Sequence, residues 1–274
     1  MIKNLQDMVT LNNDVEMPGF GLGVFKVEEG TDTVATVKTG LNLGYRLIDT
    51  AAMYENETGV GQAIQESGVP REEIFITSKV RNEDHGYDNT LKAFDETLRK
   101  LGTDYLDLYL IHWPIPGKYK DTWRAIEKIY EDGRVRAIGV SNFHVHHLEE
   151  LLKDAKIVPA VNQIEYHPHL TQEDLLLFCK ENGIQMQAWS PLKRGQIVDV
   201  PEIKEIADKY GKTAAQIVLR WDIQNGVLTI PKSVNKNRLQ ENTAIFDFEL
   251  TVEEMQKLNG LNKNDRAGSN PDDL

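Results

Sequence analysis

Three chemically complementary side chains close successive apolar runs in the first half of the chain. Asp49 ends Arg46-Leu47-Ile48, Lys79 follows Ile74 to Ser78, and His112 follows Tyr105 to Ile111. Tyr54 lies five residues beyond Asp49, near enough to return its phenol over the same place. Burying Lys79 and Asp49 costs several kcal/mol per ion unless they pair, so a pair is the simpler account of both. A lysine cation beside a phenol favours the phenolate and lowers the tyrosine pKa, which makes Tyr54 a usable proton donor and acceptor near neutral pH. His112 adds a second hydrogen bond to an oxygen held between them. Taken singly, these residues read as a structural ion pair, a surface aromatic and a satisfied core histidine. Four such groups converging on one spot read as a site.

Those residues need a frame that gathers strand ends. Short β-branched or apolar runs alternate with longer segments of helical period, the pattern of βα units and a parallel sheet. Strands are predicted at Phe20-Leu22, Arg46-Asp49, Ile74-Ser78, Tyr105-Ile111, Val135-Val140, Ala160-Ile164, Ile184-Ala188 and Val227-Ile230. Helices follow at Thr31-Leu43, Glu57-Glu66, Asn89-Leu101, Lys120-Asp132, His146-Lys153, Gln172-Asn182, Thr213-Gln224 and Asn235-Ile245. Eight such units make an α/β fold, a (β/α)8 TIM barrel, whose active site belongs at the C-terminal ends of the strands. Those ends carry Asp49, Ser78-Lys79, His112-Trp113, Ser141-Asn142, Gln163, Trp189-Ser190 and Lys232-Ser233. A hairpin around Asn12-Asn13-Asp14 and a late helix from Thr251 to about Leu261 fall outside the eightfold scheme and are expected to cap the barrel. The polar stretch 265–274 reads as a loosely held tail.

At 274 residues the chain suits one domain, 1–274. A formal net charge of -12 repels nucleic-acid phosphates and anionic lipid, so neither nucleic acid nor membrane is an expected partner. The single cysteine, Cys179, sits in an apolar run and reads as a buried small hydrophobe. With no span of about 18 apolar residues and no signal-like start, the expected location is the cytoplasm, and a monomer is the expected state.

The motifs Leu47-Ile48-Asp49-Thr50-Ala51, Ile76-Thr77-Ser78-Lys79 and Leu110-Ile111-His112-Trp113 occur in order along the chain. With Pro18 to Gly23, Val140-Ser141-Asn142-Phe143, Val161-Asn162-Gln163 and Ile230-Pro231-Lys232-Ser233, the chain resembles the aldo-keto reductase family over nearly its whole length. It is most similar to short bacterial members that reduce glyoxal, methylglyoxal and related small carbonyls. The resemblance implies a small-molecule carbonyl substrate and NADPH as cofactor; no metal is expected. Tyr54 would be the general acid, Lys79 would lower its pKa, Asp49 would anchor Lys79 and His112 would orient the carbonyl.

The same resemblance assigns Lys232, Ser233, Val234, Asn235 and Arg238 to the adenosine phosphate and Glu241 and Asn242 to the adenine. Ser141, Asn142 and Gln163 match residues that hydrogen-bond the carboxamide, and Trp189 stands where many relatives carry a stacking Tyr. Gly23, Val24, Phe25, Asp49, Ser190 and Leu192 complete the implied cofactor set, and Phe25, Tyr54, Arg81, His112 and Trp113 the substrate set. Local chemistry agrees at one end: Lys232 and Arg238 beside a helix N-terminus make an anion site. Gly19, Gly21 and Gly23, spaced by two, do not form a Rossmann fingerprint, and close packing explains them as well as cofactor approach does.

Arg81 departs from the family, where a Trp commonly walls the pocket. It either faces the pocket and favours anionic carbonyls or turns outward to Glu83 or Asp84. His144, His146, His147, His167 and His169 invite a metal-hydrolase reading, but they fall in two adjacent loops and read better as solvated. A nicotinamide-binding regulatory or sensor subunit with little turnover is the alternative to an enzyme.

Overall fold

The computed structural model describes residues 2–274. Strands β1 (Met8–Thr10) and β2 (Glu16–Pro18) pair antiparallel in the expected hairpin. Asn12 and Asn13 donate to the carbonyls of Pro159 and Arg136. These lie at strand starts, so the hairpin covers the N-terminal end of the barrel, away from the candidate site.

Eight parallel strands follow: β3 (Leu22–Gly23), β4 (Leu47–Asp49), β5 (Phe75–Val80), β6 (Leu106–Ile111), β7 (Val135–Ser141), β8 (Val161–Glu165), β9 (Gln185–Trp189) and β10 (Leu228–Thr229). Each pairs with its neighbours in chain order. A parallel bridge between Phe20 and Thr229 joins the first to the last and closes the sheet into the expected barrel. Strands covered on both faces read as nearly continuous apolar runs, as β6 does. Its one interruption, buried Asp107, is satisfied by Arg71 and Arg136, each at 2.8 Å.

The helices are α1 (Thr31–Asn42), α2 (Glu57–Ser67), α3 (Tyr87–Leu101), α4 (Tyr119–Glu131), α5 (Val145–Leu152), α6 (Glu173–Glu181), α7 (Pro201–Tyr210), α8 (Ala214–Gln224), α9 (Lys236–Thr243) and α10 (Val252–Asn259). In α3 the apolar stripe turns Phe94, Leu98 and Leu101 inward, and Phe94 meets Tyr109 of β6 edge-on with ring centroids 4.9 Å apart. Gly102 at φ 63° ends the helix in the left-handed conformation that favours glycine. Helix α7 is an addition to the predicted set. Pro201 opens it, and Ile203, Ile206 and Ala207 are its buried face, but an eightfold count leaves no room for it between β9 and α8.

Two placements correct the sequence reading. Helix α10 does not cap an end: it packs along the side against α7, and Trp221 of α8 donates its indole N–H to Asn259 at 2.7 Å. The stretch 265–274 lies against the barrel mouth, where Ala267 and Gly268 donate backbone N–H groups to Glu165 and Pro271 is buried. Three of its charged side chains find partners on the barrel: Asp265 on Lys193, and Arg266 and Asp272 on His144.

Candidate active site

A cleft of about 1390 Å³ opens at the C-terminal ends of the strands. Most of the anticipated residues line it, but Lys79 lies beneath. Its side chain is fully buried, and its ammonium donates to Asp49 Oδ1 at 2.7 Å, to the Thr50 carbonyl at 2.9 Å and to Tyr54 Oη at 3.2 Å. The three donor protons are thus used. Asp49, only 2% exposed, receives the Gln163 amide on its other oxygen at 2.6 Å. The register explains the meeting: Asp49, the last residue of β4, pairs with Thr77 of β5, so Lys79 stands two residues further along on the same face, and a short 3₁₀ turn, Ala52–Tyr54, brings the phenol back over them.

Tyr54 packs between Phe25, at 5.0 Å between centroids, and His112, edge-on at 5.7 Å. His112 is buried, and burial, followed by the nearby Lys79 and His85, holds its pKa well below the usual histidine range. The ring is therefore neutral, with one N–H to donate. Burial opposes the charge on Lys79, but Asp49 and Tyr54 overcome it and the ammonium is held above its ordinary pKa. The Tyr54 phenol is raised rather than lowered as the sequence reading expects. Burial outweighs the pull of Lys79, and Asp49 adds a negative charge nearby.

A second layer orders the wall. The Trp189 indole donates to Asn142 Oδ1 at 2.8 Å, Asn142 donates to the His112 carbonyl at 2.9 Å, and Ser141 donates to the Gln163 carbonyl at 2.8 Å. Further along, Ser190, Leu192, Lys232, Ser233, Val234, Asn235, Arg238, Glu241 and Asn242 continue the same cleft, as anticipated.

Two anticipated residues are elsewhere. Val24, just past the end of β3, is fully buried in the core, while its neighbours Gly23 and Phe25 line the cleft. Arg81 turns outward, 45% exposed, and pairs with Asp84 at 2.8 Å. The next residue, Asn82, lines the cleft instead. Sequence reasoning also missed Met53, the loop at Arg194-Gly195, Lys204 and Lys212, and Gly268-Ser269 with Leu274. Met53 lies one residue before Tyr54, and that adjacency was the one signal available. Of the five histidines expected in solvent, His167 and His169 are buried and only His146 is exposed.

Comparison with known proteins agrees with this arrangement. Residues 19–263 match the model of the Aldo/keto reductase family. The chain is 61% identical over 274 residues to glyoxal reductase of Bacillus subtilis (strain 168), covering 100% of this chain and 99% of the relative. It is 43% identical over 269 residues to methylglyoxal reductase DkgA of Salmonella typhimurium, covering 97% of each. The crystal structure of Bombyx mori aldo-keto reductase in complex with NADP superposes with a TM-score of 0.91 at 39% identity, covering 99% of this chain and 97% of that one. The barrel, the strand-end site and these matches together place the chain in the aldo/keto reductase family.

Proposed function

We propose that this protein reduces small aldehydes, ketones or α-dicarbonyls, such as glyoxal and methylglyoxal, to alcohols with NADPH, and that Tyr54 is the general acid. The observation that carries this reading is the Tyr54 hydroxyl at the cleft, 3.2 Å from a buried ammonium that is itself fixed by Asp49.

The cleft fits the cofactor. Its volume exceeds the roughly 300–1,000 Å³ of a pocket for one small ligand. Its far end presents Lys232 and Arg238 beside the start of α9, whose first N–H groups lack helical acceptors and favour an anion. Asn142, Gln163 and Trp189 would hold the nicotinamide end, where bound NADPH supplies the hydride. Tyr54, protonated at neutral pH, gives its proton to the carbonyl oxygen, and the Lys79 cation stabilises the phenolate left behind. Neutral His112 is placed to donate a second hydrogen bond to the same oxygen. Asp49 holds Lys79 charged and aimed.

NADPH oxidation with methylglyoxal tests the proposal. Tyr54→Phe is expected to bind NADPH as the parent does while kcat falls about 10²-fold or more. A wild-type protein that binds NADPH without turning over any aldehyde or dicarbonyl, or a Tyr54→Phe variant of near-parental kcat, would sink it.

A further inference from the structure

The C-terminal segment is held by three parts of the barrel mouth. Glu165, fully buried at the end of β8, accepts the N–H groups of Ala267 and Gly268, the latter at 3.0 Å, and meets His167 Nε2 at 3.0 Å. Lys193, in the loop after β9, pairs with Asp265. At the start of α5, His144 contacts Arg266 Nη2 through Nε2 at 2.9 Å and the Asp272 carboxylate through Nδ1 at 3.0 Å. Held this way, Gly268, Ser269 and Leu274 line the cleft. Gly268 lies so close to Trp189 that a Cβ there would come within 2.4 Å of the indole.

The neighbours dictate where the histidine protons sit. Arg266 only donates, so His144 Nε2 accepts and the ring's single proton is on Nδ1, facing Asp272. The His144 backbone N–H donates to His147 Nδ1 at 3.1 Å, so His147 carries its proton on Nε2, 3.8 Å from Asp272. A second proton on either ring would set N–H against N–H. Burial acts in the same direction, keeping His144 below the usual histidine range and His147 down at about 4. The groups facing these rings are Asp272, Arg266 and His146, with the rings of Tyr119 and Phe143 beside His147.

The same assignments oppose a metal ion, although His144, His146, His147 and Asp272 bring ligand atoms within 4.8 Å of one another. An ion would need the lone pairs at His144 Nδ1 and His147 Nε2, and the displaced protons would have to sit on nitrogens that already face donors.

We infer that Glu165, His144 and His147 are positioning residues for the carbonyl end of the cleft. Through Ala267, Gly268 and Asp272 they hold the C-terminal segment as one of its walls, and the two histidines do so as neutral rings. The inference rests on the reductase reading above.

Hydrogen exchange on the full chain reads the clamp without any turnover. Amides of residues 266–274 are expected to be protected in the wild type and to exchange at least about tenfold faster in Glu165→Gln and in Asp272→Asn. In both variants KM for methylglyoxal is expected to rise about fivefold or more, a larger factor than any fall in kcat. Lowering the pH toward 4 should loosen the same peptide in the wild type, after correction for intrinsic exchange, and change Asp272→Asn much less. Should Glu165→Gln fail to fold, Asp272→Asn, at an exposed position, carries the test. An unprotected wild-type segment, or variants with parental protection and KM, would overturn the inference. So would binding of one zinc ion that Asp272→Asn abolishes, since the cluster would then be a metal site. A wild type that never oxidises NADPH defeats the reductase reading, whereas the exchange result still decides whether the clamp exists.

Discussion

Lys79 and Arg81 stand two residues apart, and each pairs with a carboxylate at nearly the same distance, 2.7 Å to Asp49 and 2.8 Å to Asp84. The first pair is sealed, with side-chain exposures of 0% and 2%, and the second is open, at 45% and 29%. Separation therefore says little about either pair; the surroundings decide. In a dry site each partner is needed to keep the other charged, whereas water substitutes readily for either member of an exposed pair. The divergence begins at the end of β5. Had the strand continued, Lys79 and Arg81 would share a face, but it stops at Val80 and Arg81 leads into the 3₁₀ turn Asn82–Asp84.

Breaking the buried pair should give the largest effect. Lys79→Met leaves Asp49 buried without its cation, so the carboxyl must take up a proton to stay there, and truncating one member of a buried pair costs about 3–5 kcal/mol. Thermal unfolding should show that loss, and kcat should fall about 10²-fold or more because Tyr54 loses the cation that stabilises its phenolate. The double variant Asp49→Asn/Lys79→Met should recover much of the stability and none of the activity. If Lys79→Met melted like the wild type, the dry-site argument would be wrong.

The same site makes a pH prediction of comparable reach. Because the Tyr54 phenol is held above its ordinary value, it stays protonated through neutral pH. Reduction, which needs the phenol, should keep its kcat from pH 6 to about 9. Alcohol oxidation needs the phenolate and should accelerate about tenfold per pH unit over that range. A reduction rate already halved by pH 8 would show that the tyrosine is lowered after all.

A third carboxyl, buried like Asp49, sharpens the contrast. Burial raises Asp49, and Lys79 and Gln163 oppose the rise. Asp222 in α8 is equally buried, has no cation among the described residues and, Thr229 aside, no donor among them, and is raised well above the carboxylate range. The sign follows from linkage. A carboxyl raised in the folded state costs no stability below its unfolded pKa, near 4, and the unfolded chain gains as pH climbs from there toward the folded value. Asp222→Asn removes that slope, so its melting temperature should rise relative to the parent between pH 4 and 8, by about 2–4 °C for each kcal/mol recovered. A constant gap across that range would mean Asp222 is ionised in the fold.

Much of this was legible in the sequence. A parallel barrel gathers strand ends, so polar residues closing apolar runs point to Asp49, Lys79, His112, Asn142 and Gln163. What escaped was decided off the strands. Val24 lies between two cleft residues and faces the core, in a stretch past the end of β3 where no strand periodicity says which way a side chain turns. The inserted helix α7 brings Lys204 to the cleft, and the stretch 265–274 gives it Gly268 and Ser269. Neither segment carries an apolar pattern that reveals where it docks.

The smallest effect belongs to the exposed pair, and it decides a question of substrate. Were Arg81 a wall of the pocket, its guanidinium would favour carbonyls bearing a carboxylate, and Arg81→Ala would cost such a substrate about tenfold, or 1.4 kcal/mol, in kcat/KM. The side chain instead points to Asp84 across the surface and does not reach the cleft. An ion pair of that kind contributes under about 1 kcal/mol. Arg81→Ala is therefore expected to change kcat/KM by less than about twofold on a keto acid and on a neutral dicarbonyl alike, with a melting shift within about 2 °C. A selective tenfold loss on the keto acid would mean that substrate binding swings Arg81 away from Asp84 into the site. The sealed cation of β5 and the open one just past its end would then differ in timing rather than in place.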